Sequence, residues 1–259
     1  MKKESGIIEI EIDGKKTRMP EGSSVLEAAK ELGIYIPTLC FHEALPPQGS
    51  CRVCIVELSI EKNGKKRSWL DASCVYPVSD GLKVLTNSEK VIRQRRLILE
   101  LLLLRAPGSE SLHKLAEKYG ARTDRFEPLD KGKPDCILCG LCYRVCNEII
   151  GAHAIGSAYR GVEKEVITPL NVGSSNCIGC RACEYVCPTG AIKIKETAKG
   201  IKFERMFDFE ITMIECKSCG RRFVSSQYLK RLNGKSGVSE KIYELCPECR
   251  RKKFRVSSY

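Results

Sequence analysis

Sixteen cysteines in a chain of 259 residues, set out as four groups of four, constrain this protein more than any other feature. They run Cys40, Cys51, Cys54, Cys74; Cys136, Cys139, Cys142, Cys146; Cys177, Cys180, Cys183, Cys187; and Cys216, Cys219, Cys246, Cys249. Four thiolates make one complete ligand set for a structural zinc ion or an iron–sulphur cluster. A disulfide framework is the competing use of many cysteines, but it belongs to short exported chains. Here Met1-Lys2-Lys3-Glu4-Ser5-Gly6 is not followed by the apolar segment of an export signal. No run approaches the roughly 18–20 apolar residues of a membrane span, and the most apolar one, 97–104, holds Glu100. The expectation is a cytoplasmic metalloprotein with no membrane span.

The formal net charge of +12 would on its own suggest an acidic partner such as nucleic acid. Metal loading changes that balance. A Zn²⁺ or an oxidised cluster held by four thiolates nets about −2, so four sites bring the assembled protein to about +4. The basic residues largely compensate for bound metal, and no nucleic-acid partner is expected.

Between the cysteines the chain reads as short, well-punctuated elements. Residues 7–12 alternate apolar and charged from Ile8 onward, Asp13-Gly14 is a two-residue hairpin signal, and 15–19 return. Ser24-x-x-Glu27 is a capping box opening a helix through Leu32 that Gly33 stops. Residues 55–60 and 67–70 form a hairpin around Asn63-Gly64, and 81–86 a last short strand, giving a small sheet crossed by one helix. Ser88 caps a long helix over 89–105 that Pro107-Gly108 ends, and a shorter one over 112–119 stops at Gly120. Residues 121–135, with Pro128, Gly132 and Pro134 among charges, read as a linker. A strand-rich stretch over 201–214 leads to the last cysteines, and the basic run 250–255 reads as a solvated end.

The second and third groups share the pattern C-x₂-C-x₂-C-x₃-C: Cys136-Ile-Leu-Cys139-Gly-Leu-Cys142-Tyr-Arg-Val-Cys146 and Cys177-Ile-Gly-Cys180-Arg-Ala-Cys183-Glu-Tyr-Val-Cys187-Pro188. In such pairs three closely spaced cysteines wrap one cubane and the fourth reaches across to the other. One [4Fe–4S] cluster is therefore expected on Cys136, Cys139, Cys142 and Cys187, and a second on Cys146, Cys177, Cys180 and Cys183. The crossing makes the two clusters neighbours, as an electron relay requires. Asn147 stands after the first run where Pro188 follows the second. The first group, Cys40-x₁₀-Cys51-x₂-Cys54-x₁₉-Cys74, keeps the C-x₂-C core of plant-type [2Fe–2S] loops with a longer first gap and a shorter last one; zinc is the alternative. Gly49-Ser50 lets the backbone come close, so that amide N–H groups can bond cluster sulphurs.

The segments Ile36-Pro37-Thr38-Leu39-Cys40-Phe41-His42, Gly49-Ser50-Cys51-Arg52-Val53-Cys54-Ile55-Val56-Glu57 and Ala72-Ser73-Cys74-Val75-Tyr76-Pro77-Val78, with Asp80-Gly81 and Ser88-Glu89-Lys90-Val91, carry a specific likeness. Over residues 5–200 the chain resembles the N-terminal part of the iron–sulphur subunit of NADH dehydrogenase (complex I). The same module occurs in the diaphorase small subunit of NAD-linked hydrogenases and at the start of [FeFe] hydrogenases. The resemblance implies a β-grasp [2Fe–2S] domain followed by a two-cubane ferredoxin domain. Many relatives carry a further cluster held by one histidine and three cysteines. Residues 75–135 contain no cysteine, so that cluster is expected to be missing, and His113 reads as a surface residue. The turn 61–67 lengthens the first group's last gap and offers a contact for a partner, and no [FeFe] active-site domain follows.

Cys216-Lys-Ser-Cys219-Gly220 and Cys246-Pro-Glu-Cys249, with 26 residues between Cys219 and Cys246, read as the two knuckles of a zinc ribbon that serves in docking. The long gap leaves a further iron–sulphur cluster as the alternative. His42 reads either as a donor to a cluster sulphur or as a packing residue, and His153 as packing or surface. The 97–104 stripe reads as core or subunit interface.

The fold class expected is α+β in four parts: a β-grasp plant-type [2Fe–2S] ferredoxin domain (1–87), a helical linker (88–128), a bacterial-type 2[4Fe–4S] ferredoxin domain (129–200) and a small zinc-ribbon-like domain (201–259). No dinucleotide fingerprint, phosphate loop or catalytic triad pattern occurs, so no substrate site is expected on the chain itself. The function expected is electron relay within a hetero-oligomeric oxidoreductase. One partner is a flavin/NAD(P)H-binding subunit, the other a hydrogenase or other catalytic subunit, with soluble ferredoxin as a further partner. An iron–sulphur subunit of a formate or other dehydrogenase is the alternative. An iron–sulphur sensor of nucleic acid is disfavoured, because three serial clusters exceed what a sensor uses.

Overall fold

The structure, a computed structural model, describes residues 6–126, 135–169, 175–229 and 243–256. It divides into two compact units, Met1–Cys139 and Gly140–Tyr259.

In the first unit β1 (Ile7–Ile12) and β2 (Lys15–Pro20) pair antiparallel, with Ile12 opposite Lys15. Asp13 and Gly14 both take positive φ, 48° and 80°, the conformation that matches a two-residue turn to the twist of its strands. Asn63 and Gly64 do the same, at 53° and 71°, between β3 (Ile55–Lys62) and β4 (Lys65–Ala72). The short β5 (Lys83–Leu85) runs parallel to β1 and antiparallel to β3, closing a five-stranded sheet in the order β2-β1-β5-β3-β4. Helix α1 (Val25–Glu31) lays Val25, Leu26, Ala28 and Ala29 against Ile10, Ile12, Val56, Leu58 and Val84, all nearly free of solvent.

The first turn of α1 does more than start a helix. Its leading N–H groups have no partner within the helix. Val25 donates to the Tyr76 carbonyl (2.9 Å), Leu26 to Ser73 O (3.0 Å) and Glu27 to Ser24 Oγ (3.2 Å), while Glu27 Oε2 accepts from Ser24 N (2.6 Å). The capping box is therefore complete, and the same helix end holds the loop that carries Cys74. Ser24→Ala is expected to cost about 1–2 kcal/mol of stability, read as an earlier denaturant midpoint for the first unit.

Ser88 caps α2 (Glu89–Arg105), accepting from Val91 N (3.4 Å), and α3 (Glu110–Tyr119) ends at Gly120 with φ 64°. Leu99 and Leu103 of α2, with Leu112 and Ala116 of α3, form a second core with Leu39, Cys40, Cys51, Val53 and Ile137. The 97–104 stripe thus supplies core, although Leu101 stays 46% exposed. Of the linker at 121–135, residues 127–134 lie outside the described residues; Asp135 accepts the Gly108 N–H at 2.6 Å.

The second unit begins with α4 (Leu141–Arg144), which runs into a π-helical turn, Val145–Ile149. A two-stranded ribbon, β6 (Gly156–Ala158) with β7 (Glu165–Ile167), and the short α5 (Ala182–Tyr185) follow. Strands β8 (Ile192–Glu196), β9 (Gly200–Arg205), β10 (Phe209–Glu215) and β11 (Arg222–Ser225) then form an antiparallel sheet in the order β11-β10-β9-β8. The expected division between residues 200 and 201 falls inside β9, a strand paired on both sides. The basic run at 250–255 lies on a helix, α6 (Pro247–Val256), and residues 251–253 are exposed on it, as a solvated end would be. Among the described residues no helix is long and apolar enough to cross a membrane.

Candidate metal centres

The first four cysteines come from three loops of the five-stranded unit, and all are buried. They stand as two pairs. Cys54 Sγ lies 3.4 Å from Cys74 Sγ, and Cys40 Sγ interacts with the Cys51 thiol while accepting the Cys51 N–H at 3.3 Å. Donation from Cys51 lowers the Cys40 thiol to about 6, and donation from Cys74 lowers Cys54 to about 7; the donors Cys51 and Cys74 are raised in turn. Within each pair one thiol is thereby shifted toward the thiolate, the form that binds metal. Two irons bridged by sulphide require two thiolates each, which is the division the pairs make.

Backbone geometry holds this constellation. Gly49 has φ 66°, and a Cβ there would stand 3.1 Å from a methyl of Val75, beside Cys74. Ser73 Oγ donates to Cys54 O at 2.8 Å. From the other side Arg95 of α2 donates to Val53 O (3.0 Å) and Ile55 O (2.7 Å), the carbonyls that flank Cys54. His42 takes the Ala44 N–H on Nδ1 (3.2 Å), and His113 is exposed with Nε2 2.7 Å from Pro107 O.

Cys136 and Cys139 close the first unit, and Cys136 Sγ accepts the Leu138 N–H at 3.4 Å. Cys142, on α4, and Cys187 belong to the second unit. There a small cavity is lined by Cys146, Cys177, Cys180 and Cys183. Apart from Thr168 and Arg181 its remaining wall is apolar, including Ala152, Ile155, Phe203, Phe207 and Phe209. Cys146 sits in the π-helical turn, a local distortion found often at functional sites. Its Sγ accepts the Ala154 N–H at 3.4 Å, and the neighbouring His153 is exposed. Burial pushes the Cys177 thiol up to about 11 and raises Cys146 and Cys183, so bound cationic metal is what would hold these three as thiolates.

The C-terminal strands complete this cavity. Phe203 and Phe209 stack with centroids 4.4 Å apart. Gly179, in the ligand loop, has φ 75° and leaves the space that Met213 of β10 fills. Ser225, fully buried at the end of β11, donates to Cys177 O at 2.9 Å. None of these contacts is readable from cysteine spacing.

The last four cysteines form a compact knot. Cys216 and Cys219 occupy the turn between β10 and β11, where Gly220 takes φ 71°. Cys246 and Cys249 stand at the start of α6, where the Cys249 N–H, 3.5 Å from Cys246 Sγ, lowers the Cys246 thiol while Cys249 is raised. All four sulphurs lie within 4.8 Å of one another, with Cys219 and Cys246 3.8 Å apart. The Cys246 N–H, 3.2 Å from Cys216 Sγ, lowers that thiol to about 6.

Known proteins match several stretches of the chain. A 2Fe-2S iron-sulfur cluster binding domain matches residues 6–89, and a 4Fe-4S dicluster domain matches 135–191 and again 176–221. NADPH-Fe(3+) oxidoreductase subunit alpha of Geobacter sulfurreducens is 36% identical over 82% of this chain and 27% of its own length. NADP-reducing hydrogenase subunit HndD of Solidesulfovibrio fructosivorans is 36% identical over 72% of this chain and 36% of its own. The NADH-ubiquinone oxidoreductase 75 kDa subunit of Reclinomonas americana is 30% identical over 74% of this chain and 30% of its own. The chain thus spans roughly a third of the length of these curated relatives. A crystal structure of NAD+-reducing [NiFe]-hydrogenase in the H2-reduced state superposes with a TM-score of 0.51 at 33% identity, covering 62% of this chain and 74% of that one. The chain belongs to the iron–sulphur family that includes the NADH-ubiquinone oxidoreductase 75 kDa subunit and the corresponding chains of NAD(P)-linked hydrogenases.

Proposed function

We propose that the chain is an electron-relay iron–sulphur subunit, standing between a flavin subunit that handles NAD(P)H and a catalytic partner, in the first instance a hydrogenase. The observation that carries this reading is the gathering of thiols into sets of four: two buried pairs in the first unit, and four around one cavity in the second, of which Cys146 and Cys183 are buried. Complete thiolate sets leave no open coordination position for a substrate. The ligand sets proposed are Cys40, Cys51, Cys54 and Cys74 for [2Fe–2S], and Cys136, Cys139, Cys142 and Cys187, with Cys146, Cys177, Cys180 and Cys183, for two [4Fe–4S] clusters.

Bound there, the clusters supply one-electron storage without transfer of atoms. The chain's own part is to fit and shield them. Amides of Cys51, Leu138 and Ala154 donate to ligand sulphurs, which favours added negative charge, and the phenylalanines give the second unit's cavity an apolar wall. We read 1–87 as a β-grasp [2Fe–2S] domain, 88–128 as its helical linker and 129–200 as the ferredoxin domain, with 201–259 a zinc-ribbon-like arm that shares its sheet.

Zinc is the ion proposed for the arm. Zn–S bonds of about 2.3 Å place tetrahedral sulphurs about 3.8 Å apart, against 3.8 Å between Cys219 and Cys246 and 4.8 Å as the outer limit for the set. A cubane sets its four thiolates on separate irons, hence farther apart. Zinc has no redox chemistry, so the arm lies outside the electron path.

Metal analysis of anaerobically purified protein is expected to give about ten irons and one zinc per chain. Cys219→Ser is expected to remove the zinc and leave the EPR signals of the reduced protein intact. About twelve to fourteen irons without zinc would make the arm a redox terminus instead. Copurification with a flavin subunit and a hydrogenase supports the assignment of partners; a formate or other dehydrogenase subunit in the second place would move the catalytic end.

A further inference from the structure

Arg95 is the one arginine among the described residues whose whole side chain is sealed from solvent, at 0% exposure. It stands on the buried row Val91, Arg95, Leu99, Leu103, one helical turn apart along α2. Every contact its guanidinium makes is with a neutral group. It donates to Val53 O and Ile55 O, to Thr86 O (3.3 Å) and to Asn87 Oδ1 (3.3 Å), and it lies 4.8 Å from the centroid of the Tyr119 ring. Among the described residues no carboxylate pairs with it.

A guanidinium stays charged in a protein, and a buried charge without a counter-charge is strongly disfavoured. The carbonyls it grips are those on either side of Cys54. On the reading that Cys40, Cys51, Cys54 and Cys74 hold a [2Fe–2S] cluster, the missing counter-charge is the thiolate–iron centre itself, which nets about −2 oxidised and about −3 reduced. We propose that Arg95 is the counter-ion of this cluster, and that its positive charge holds the centre at a higher reduction potential than the same loop would give without it. Addition of one electron increases the negative charge facing Arg95, so the attraction favours the reduced form. No proton is required, because the guanidinium keeps its charge in both states.

A mere brace between α2 and the Cys54 loop would use the same hydrogen bonds, so the test separates charge from bracing. The readout is the midpoint of the [2Fe–2S] EPR signal, with the intact protein poised by dithionite against mediator dyes. Arg95→Gln keeps amide donors and loses the charge. Asn87→Asp leaves Arg95 and its bonds to Val53 and Ile55 in place, but sets a carboxylate against Nη1. Both are expected to favour the oxidised centre at least tenfold at a given potential, a fall of about 59 mV for one electron. Both leave the [4Fe–4S] midpoints unchanged, and Arg95→Lys stays closer to the parent than Arg95→Gln. If Arg95→Gln does not load the cluster, Asn87→Asp decides the matter alone. A loaded variant with the parental midpoint overturns the proposal. Absence of any [2Fe–2S] signal in the parent protein would overturn the cluster assignment instead, and is thereby distinguishable.

Discussion

Cys183→Ala is expected to remove one of two [4Fe–4S] EPR signals and about four irons per chain, while the [2Fe–2S] signal keeps its shape and intensity. Cys183 stands in α5, buried, and its sulphur lines the cavity with Cys146, Cys177 and Cys180. Alanine leaves three ligands for a centre that uses four. The first unit is insulated from this loss because its sheet and α1 have their own core, built from residues 10–84. In the assembled complex, reduction of the terminal acceptor by NAD(P)H is expected to fall by at least a hundredfold, since no other carrier replaces the lost step. Iron content equal to the parent would remove these four cysteines from the ligand assignment. Normal iron loss with undiminished turnover would instead take this centre off the electron path.

Gly200→Val is the second large effect. Gly200 opens β9 with φ 158°, and a Cβ there would run into the Ile211 carbonyl oxygen and stand 2.7 Å from Met213 N. The partner strand cannot move aside cheaply, because Phe209 to Thr212 pair with Phe203 to Gly200 in register. A cost above about 4 kcal/mol follows from such a backbone collision. Separation of β9 from β10 breaks the Phe203–Phe209 stack and opens the cavity wall, admitting water and oxygen to the site. Bleaching of one [4Fe–4S] absorbance in air is expected to quicken at least tenfold, with the [2Fe–2S] decay unchanged. Parental bleaching kinetics in a variant with full iron would show that the C-terminal sheet gives the site no protection.

What the sequence discloses is mostly local. Asp13-Gly14 and Asn63-Gly64 state their turns in two residues, and Ser24 with Glu27 states a helix start in four, because each is satisfied by its own neighbours. The cysteine spacing likewise divides the chain into ligand runs. It does not show that Cys40 pairs with Cys51 and Cys54 with Cys74, which depends on how three separate loops meet. Arg95 is hidden among Arg93, Gln94 and Arg96, a stretch that looks like a solvated helix face; only its four-residue spacing from Val91 and Leu99 betrays it. The pairing of β8 with β9 joins segments that the cysteine groups keep apart, so a division at 200/201 cuts through a strand. Near the end of the described residues the informative one is Pro247, since proline is favoured at a helix's first position and a solvated basic run can follow it as a helix.

The order of these parts along the chain has a bearing on how the protein matures. The cavity in the second unit takes its ligands from residues up to Cys183, yet the phenylalanines that wall it begin at Phe203, and the hydroxyl that ties down Cys177 arrives only with Ser225. A nascent chain halted just past its last ligand would present these sulphurs in an open bowl. The pocket shuts only after some forty further residues have left the ribosome, a count set by the distance from Cys183 to Ser225. The first four cysteines, which end at Cys74, and the helices that pack beside them, which end at Tyr119, are by contrast all made before any part of that cavity's wall.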